Sequence, residues 1–196
     1  TGIYLSMLLR PDLAPEDAVL LTTTAAVAVA EAIEEVANQP AKIKWVNDVY
    51  LDGKKVCGIL TEASFAPETG ELAYIVLGIG INVFEPTGGF PADIRDTAAA
   101  VFPADTKVEA ARNRLIAAIL NKFCIYYKDL RNPALITAYK QFSFVLGKKI
   151  MVHSPLGSFP AMALDIDSSG HLLVRFADGR EESLDSGEIS IRLDNQ

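Results

Sequence analysis

Lys44-Trp45-Val46-Asn47-Asp48-Val49-Tyr50-Leu51-Asp52-Gly53-Lys54-Lys55-Val56-Cys57-Gly58-Ile59-Leu60 is the stretch on which the fold turns. Asp52-Gly53 is a two-residue hairpin signal, because both central residues of a type I′ turn need positive φ. It divides the stretch into a strand over Val49 to Leu51 and a return strand over Lys54 to Ser64. Ile43 to Trp45 reads as a further short strand upstream. Downstream, Pro67-Glu68-Thr69-Gly70 is another turn. The strand that follows, Glu71 to Val83, carries Ile75-Val76-Leu77 without interruption and so suits a central position.

Outward from this meander, Ile3 to Leu9 reads as a mostly buried strand stopped by Arg10-Pro11. The alanine-rich run from Glu16 to Val36 predicts a long helix, with Pro15 at or near its first position, acids in its first turn, and Asn38-Gln39-Pro40 at its end. Phe84 to Pro103 is loop-like, marked by Pro86, Gly88-Gly89 and Pro91. Two helices follow, over Val108 to Leu130 and Pro133 to Phe142. At Gly147 the texture changes to short strands over Lys149 to Val152, Ser158 to Asp165, Leu172 to Phe176, Glu181 to Leu184 and Ile189 to Leu193. Tight turns separate them, as in a small β-barrel of SH3 type. The expected organisation is an α/β (α+β) domain over 1–146, followed by the barrel over 147–196.

Bulk properties narrow the function. The 196 residues are enough for one sizeable core and a small second module. Half are hydrophobic and 22% charged, which excludes general disorder. A formal charge of -7 argues against nucleic-acid binding by this chain alone, since phosphate binding needs excess Lys and Arg. Cys57 and Cys124 lie far apart with no metal-ligand spacing, which fits a reduced, cytoplasmic setting. His153 and His171 are isolated and read as structural. The apolar run from Leu20 to Ala30 is broken by Thr22-Thr23-Thr24 and reads as buried or amphipathic, not membrane-spanning. No signal peptide is visible, and a first residue of Thr1 is not expected to be the native start.

Strict alternation puts Lys55, Cys57 and Ile59 on one strand face and Lys54, Val56, Gly58 and Leu60 on the other. Two lysines after a turn are ordinarily solvated. Gly58, however, interrupts a run that otherwise suits β-branched residues, and glycine in a strand interior often marks close approach of a ligand or another backbone. A nearby lysine could then hold a carboxylate or phosphate. Gly78-Ile79-Gly80-Ile81-Asn82 is a second such gap, readable either as a bulge or as room for a flat ligand beside the Asn82 amide. Asn47-Asp48 is readable as a turn, or as a carboxylate for a metal–nucleotide site or for an attacking amine. Three such blocks within forty residues point to a ligand site.

The ordered set Lys-Trp-x-Asn-Asp, Lys-(aliphatic)-(small)-Gly-Ile-Leu and Gly-x-Gly-Ile-Asn resembles bacterial biotin protein ligase. The opening Gly2-Ile3-Tyr4-Leu5-Ser6 and the closing Gly187-Glu188-Ile189-Ser190-Ile191-Arg192 resemble it too, so the likeness spans almost the whole chain. The resemblance implies a central mixed sheet with helices on one face, then an SH3-like barrel. It implies a ligase that forms biotinyl-5′-AMP from biotin and ATP with Mg²⁺, then biotinylates a lysine of a biotin carboxyl carrier protein. Lys55 matches the essential lysine that contacts the biotin carboxylate and the adenylate phosphate. Gly58, Leu60, Gly78 and Ile79 match the biotin and acyl-phosphate pocket, and Tyr4 and Ser6 its other side. Asn47, Asp48 and Asn82 match polar positions near the phosphates and Mg²⁺. Arg192 matches an arginine by which the barrel reaches the nucleotide. Asp48 could orient the acceptor amine or hold metal. Relatives can also dimerise by joining sheets.

Two departures stand out. Val46 replaces the family's usual proline, a change expected to alter backbone more than chemistry. The family's Gly/Arg-rich adenylate-covering segment is expected before Tyr4, so the chain reads as the C-terminal two-thirds of a ligase that lacks full activity alone and leaves a strand edge unpaired. Three alternatives stay open: a lipoyl or octanoyl transferase, a biotin-operon repressor whose DNA-binding domain would lie outside this chain, and a non-catalytic binding remnant.

Overall fold

The Asp52-Gly53 turn forms as its dipeptide requires, with φ of 47° and 76°. In the computed structural model, which describes residues 1–196 except 12, 155–156, 186 and 192–196, it joins two strands of a five-stranded sheet. Those strands are β1 (Ile3–Leu9), β2 (Lys42–Lys44), β3 (Asp48–Leu51), β4 (Lys54–Phe65) and β5 (Leu72–Ile81), in the order β1-β5-β4-β3-β2. The expected mixed sheet is antiparallel between all its named strands. Among the described residues, parallel pairing occurs only as isolated bridges, such as Lys55 with Ala98. The short connections from β2 through β5 permit hairpins and not crossovers. β5 is interior, between β1 and β4, while β4 is the middle strand.

β1 is not the mostly buried strand expected. Ile3 is buried, but Tyr4 and Leu8 are 92% and 56% exposed. The strand pairs with β5 on one side and stands at the sheet edge on the other, so its residues alternate between a core face and an open face.

All helices cover the other face. A short 3₁₀ turn, η1 (Pro15–Ala18), leads into α1 (Val19–Ala37), which is followed after the meander by α2 (Ala111–Tyr127) and α3 (Pro133–Phe142). The helix expected from Glu16 thus opens as a 3₁₀ turn. Asn38 ends α1 in the left-handed conformation at φ 52°, with its N–H on the Glu34 carbonyl. α1 is buried around most of its circumference because α2 and α3 pack outside it and the sheet lies beneath. Its three threonines are buried with their hydroxyls satisfied: Thr23 and Thr24 donate to carbonyls one turn back, and Thr22 bonds Thr61 of β4. No helix of the described residues is long and apolar enough to cross a membrane.

Across α1 and α2, the Tyr126 hydroxyl donates to Glu31 at 2.7 Å. Burial, followed by the bond and charge of Glu31, pushes this phenol up to about 12. Its ionisation is therefore costlier in the fold than in the unfolded chain. The resulting stability is present below pH about 10 and is lost as pH climbs through the raised value. Tyr126→Phe should remove that share of the alkaline loss, read as a converging difference in urea midpoints between parent and variant from pH 9 to 12.

The second sheet contains β6 (Lys149–Ser154), β7 (Gly157–Ile166), β8 (Leu172–Phe176), β9 (Glu181–Leu184) and β10 (Glu188–Ile191) in the order β10-β6-β7-β8-β9. The first four strands stand where their spacing put them. The last strand expected, to Leu193, is described only as far as Ile191. This sheet seats on α3 through the Lys140–Asp165 ion pair, which holds the Asp165 carboxyl below its ordinary value. It is also joined by the Trp45 indole N–H, donated to the Gly170 carbonyl at 3.0 Å.

Candidate functional site

The site begins as an irregularity in β4. Val49 pairs with Cys57, but the next residue, Tyr50, pairs with Lys55, so Val56 is an extra residue on β4. That bulge overturns the alternation expected of the strand. Val56 and Cys57 are both buried in succession, and Lys55 returns to the face of Gly58. A Cβ built on Gly58 would lie 3.3 Å from the Lys55 Cε, 3.4 Å from its Nζ and 3.8 Å from Asp48 Oδ1. Gly58 is thus the floor over which the lysine lies, and its missing side chain is the room the lysine uses.

Register then lines up one row across four strands: Tyr4, Gly80, Gly58 and Asp48. The row beside it runs Ser6, Gly78 and Leu60. At ordinary strand spacing the first row spans about 14 Å between its end Cα atoms. With two glycines in its middle it is a trough, walled by the Tyr4 ring at one end and by Asp48 and Lys55 at the other. The resulting cavity is about 390 Å³ and includes Asn47, Leu60 and Gly78 in its lining. Ile79 borders it, while its side chain belongs to the buried core.

A second cavity of about 510 Å³ adjoins the first and shares Tyr4, Asp48, Lys55, Gly58 and Gly80 with it. Asn82 lies here and not in the first cavity. Its amide nitrogen donates to the Ala99 carbonyl at 3.0 Å, which leaves the amide oxygen for other partners. Lys55 itself stands where β4 changes neighbours. Its N–H donates to the Thr97 carbonyl, and its carbonyl accepts from the Ala99 N–H.

Lys55 Nζ lies 2.5 Å from Asp48 Oδ1, and the pair forms the wall common to both cavities. The Asp48 side chain is only 15% exposed, and its charge reaches the groups around it. Burial and then Asp48 push up the phenol of Tyr50, the buried Tyr139 hydroxyl and the buried Cys57 thiol. Cys57 is accordingly an inert thiol. Asn47 is committed to the scaffold, since its side-chain nitrogen donates to the Ile59 carbonyl and its own carbonyl accepts the Ile59 N–H. The Trp45–Val46 peptide bond is cis, and the Val46 carbonyl accepts the Tyr139 hydroxyl at 2.9 Å.

Of the residues singled out in the sequence, Tyr4, Ser6, Asn47, Asp48, Lys55, Gly58, Leu60, Gly78 and Ile79 converge on the first cavity. Asn82 is on the second, and Arg192 lies outside the described residues. Lys44 of the Lys-Trp-x-Asn-Asp block also lines the second cavity, as do Tyr50, Ile94, Thr97 and Ala98, to which the sequence assigns no role. Ile94, Thr97 and Ala98 come from a stretch with no strand or helix pattern, so only the fold brings them in.

Residues 1–82 match the biotin/lipoate A/B protein ligase family, and residues 145–192 match the biotin protein ligase C-terminal domain. The biotin–[acetyl-CoA-carboxylase] ligase of Paracoccus denitrificans is 30% identical over 188 residues, covering 90% of this chain and 75% of that protein. The chain belongs to the biotin protein ligase family. The bifunctional ligase/repressor BirA of Bacillus subtilis is 34% identical over 182 residues, or 91% of this chain and 55% of that protein. The chain therefore spans about half the length of such relatives. The solved biotin protein ligase of Aquifex aeolicus, in complex with biotin and ATP, superposes with a TM-score of 0.74 at 25% identity, over 97% of this chain and 78% of that one. This family's two sheets and one-sided helical layer are those described above.

Proposed function

We propose that this chain carries the adenylate-forming site of an ATP-dependent biotin protein ligase. The observation that supports it best is the Lys55–Asp48 pair on the shared wall of two adjoining cavities, one for an acyl donor and one for a nucleotide. In this reading biotin lies in the glycine trough between Tyr4 and Leu60, and ATP occupies the cavity of Asn82 and Tyr50. Gly58, Gly78 and Ile79 give the flat bicyclic ligand its floor, and Ser6 a polar edge.

The biotin carboxylate attacks the α-phosphorus of ATP, forming the acyl–phosphate bond as the bond to pyrophosphate breaks. A carboxylate approaching a polyphosphate is repelled by roughly 4 kcal/mol per unit-charge pair at about 4 Å and an effective dielectric near 20. The Lys55 ammonium, already over Gly58, offsets that repulsion and meets the charge that develops on the phosphoryl oxygens. A carrier lysine amine then attacks the carbonyl carbon, AMP leaves, and Asp48 is placed to orient that amine and accept its proton. Magnesium borne by the nucleotide would add positive charge at the phosphates. The Asp48 carboxylate and the free amide oxygen of Asn82 are hard donors that fit it.

The acceptor is proposed to be a biotin carboxyl carrier protein, as the name of the Paracoccus relative implies. The same reading assigns residues 1–146 to catalysis and 147–196 to the closing barrel, places the protein in the cytoplasm, and makes the free edge of β1 a candidate for sheet-to-sheet pairing between copies. Arg192 is proposed to reach the nucleotide. Incubating the protein with biotin, ATP, Mg²⁺ and a carrier domain should add one biotinyl mass to the carrier. With biotin left out and lipoate supplied, no adduct is expected. Transfer of lipoate in preference to biotin would overturn the assignment.

A further inference from the structure

The residues that hold Asp48 come from three separate places, and one of them is the second sheet. Trp45 is 2% exposed, and its indole N–H donates to the Gly170 carbonyl, 125 residues away. Val46 is held by the Tyr139 hydroxyl of α3, and Asn47 by a reciprocal pair of bonds with Ile59 of β4. Asp48 follows at once and begins β3. The carboxylate that meets Lys55 is thus the fourth residue of a segment pinned at each of the three before it.

The turn that supplies the Gly170 carbonyl is itself stiff. Asp167 Oδ1 accepts the N–H groups of Ser169 and His171, and its Oδ2 accepts the Ser183 hydroxyl of β9. Gly170 has φ of 83°, and a Cβ there would meet the Thr23 Oγ1 of α1 at 2.8 Å. The turn is pressed onto the helix so closely that only glycine fits without movement. A turn so constrained presents its carbonyl at a fixed place.

We propose that the β7–β8 turn is a positioning element for the site, holding Asp48 against Lys55 through the Trp45 indole. Trp45 and Gly170 touch neither cavity, so they act only through the segment they anchor. The second sheet is then part of the machinery even where it supplies no lining side chain. The inference rests on reading Asp48 and Lys55 as the working pair, and its primary test does not depend on ligase activity.

Brief acetic anhydride labelling, followed by peptide mass spectrometry, reads how freely Lys55 reacts relative to exposed Lys42. Asp48→Ala should raise Lys55 labelling. Trp45→Phe keeps the ring and removes the N–H, and should raise it by roughly three- to tenfold, the scale of one lost hydrogen bond. In the Asp48→Ala background Trp45→Phe should add nothing, because the partner it positions is gone. Gly170→Ala should behave as Trp45→Phe does, and Thr23→Ala, which clears the atom the new methyl meets, should reverse part of the change. Unaltered Lys55 labelling in a folded Trp45→Phe protein, or an equal increase with Asp48 already removed, overturns the proposal. Failure of the parent to make biotinyl-AMP would instead strike the ligase reading and leave this labelling result standing.

Discussion

Lys55→Ala should abolish formation of biotinyl-AMP, with a fall of about three orders of magnitude or more in the rate of pyrophosphate release from ATP and biotin. The expectation follows from where the ammonium sits. It lies on the wall common to both cavities, over a floor with no side chain, within ion-pair distance of Asp48. No other residue supplies a cation to both cavities, among the described residues. Stability should change little, because the lysine side chain is 44% exposed and such a pair contributes modestly to folding. Melting temperature and pyrophosphate release, measured on the same preparation, make the test. A variant that folds normally and releases pyrophosphate at the parent rate would show that the lysine is an ordinary strand residue.

Gly58→Val should separate fold from function in the opposite sense. Valine suits a strand better than glycine, so the sheet has no reason to weaken. The new branch points into the space that the Lys55 Cε and Nζ occupy, where even a single carbon would lie 3.3–3.4 Å from them. The lysine must leave the floor, and the trough between Tyr4 and Asp48 loses half of its glycine pair. Biotin binding by calorimetry should fall by at least a hundredfold, roughly the effect of a bulky group placed where a ligand must lie. The urea midpoint should hold or rise. Intact biotin affinity in this variant would mean that the trough is not the biotin site.

Much of this was legible beforehand. The Asp52-Gly53 turn, the strand Lys54–Phe65 and the glycine pairs announced themselves because each depends on local backbone chemistry. The phase of Lys55 did not. A bulge adds one residue without any signal in side-chain type, and at Val56 it moves Lys55 from the face of Cys57 and Ile59 to that of Gly58 and Leu60. The exposure of Tyr4 and Leu8 has no mark in the sequence for a related reason: an apolar strand looks the same whether it lies inside a sheet or at its rim. Ile94, Thr97 and Ala98 were out of reach because they belong to no periodic element, and their segment is tied to the site by backbone bonds of Thr97, Ala99 and Val101 with Lys55 and Asn82.

That last connection divides the region from Phe84 to Pro103 into two materials. Near Gly88-Gly89 the chain is a tip, where φ of 89° and 81° serves only the bend and nothing crowds either glycine. From Thr97 to Val101 it is a splint, since the carbonyls of Thr97 and Ala99 and the N–H groups of Ala99 and Val101 are all taken up by Lys55 and Asn82. Extra residues at the tip would lengthen a surface loop and leave the chemistry alone. Extra residues at the splint would shift a lysine and an amide together, because the same few peptide units set the height of both.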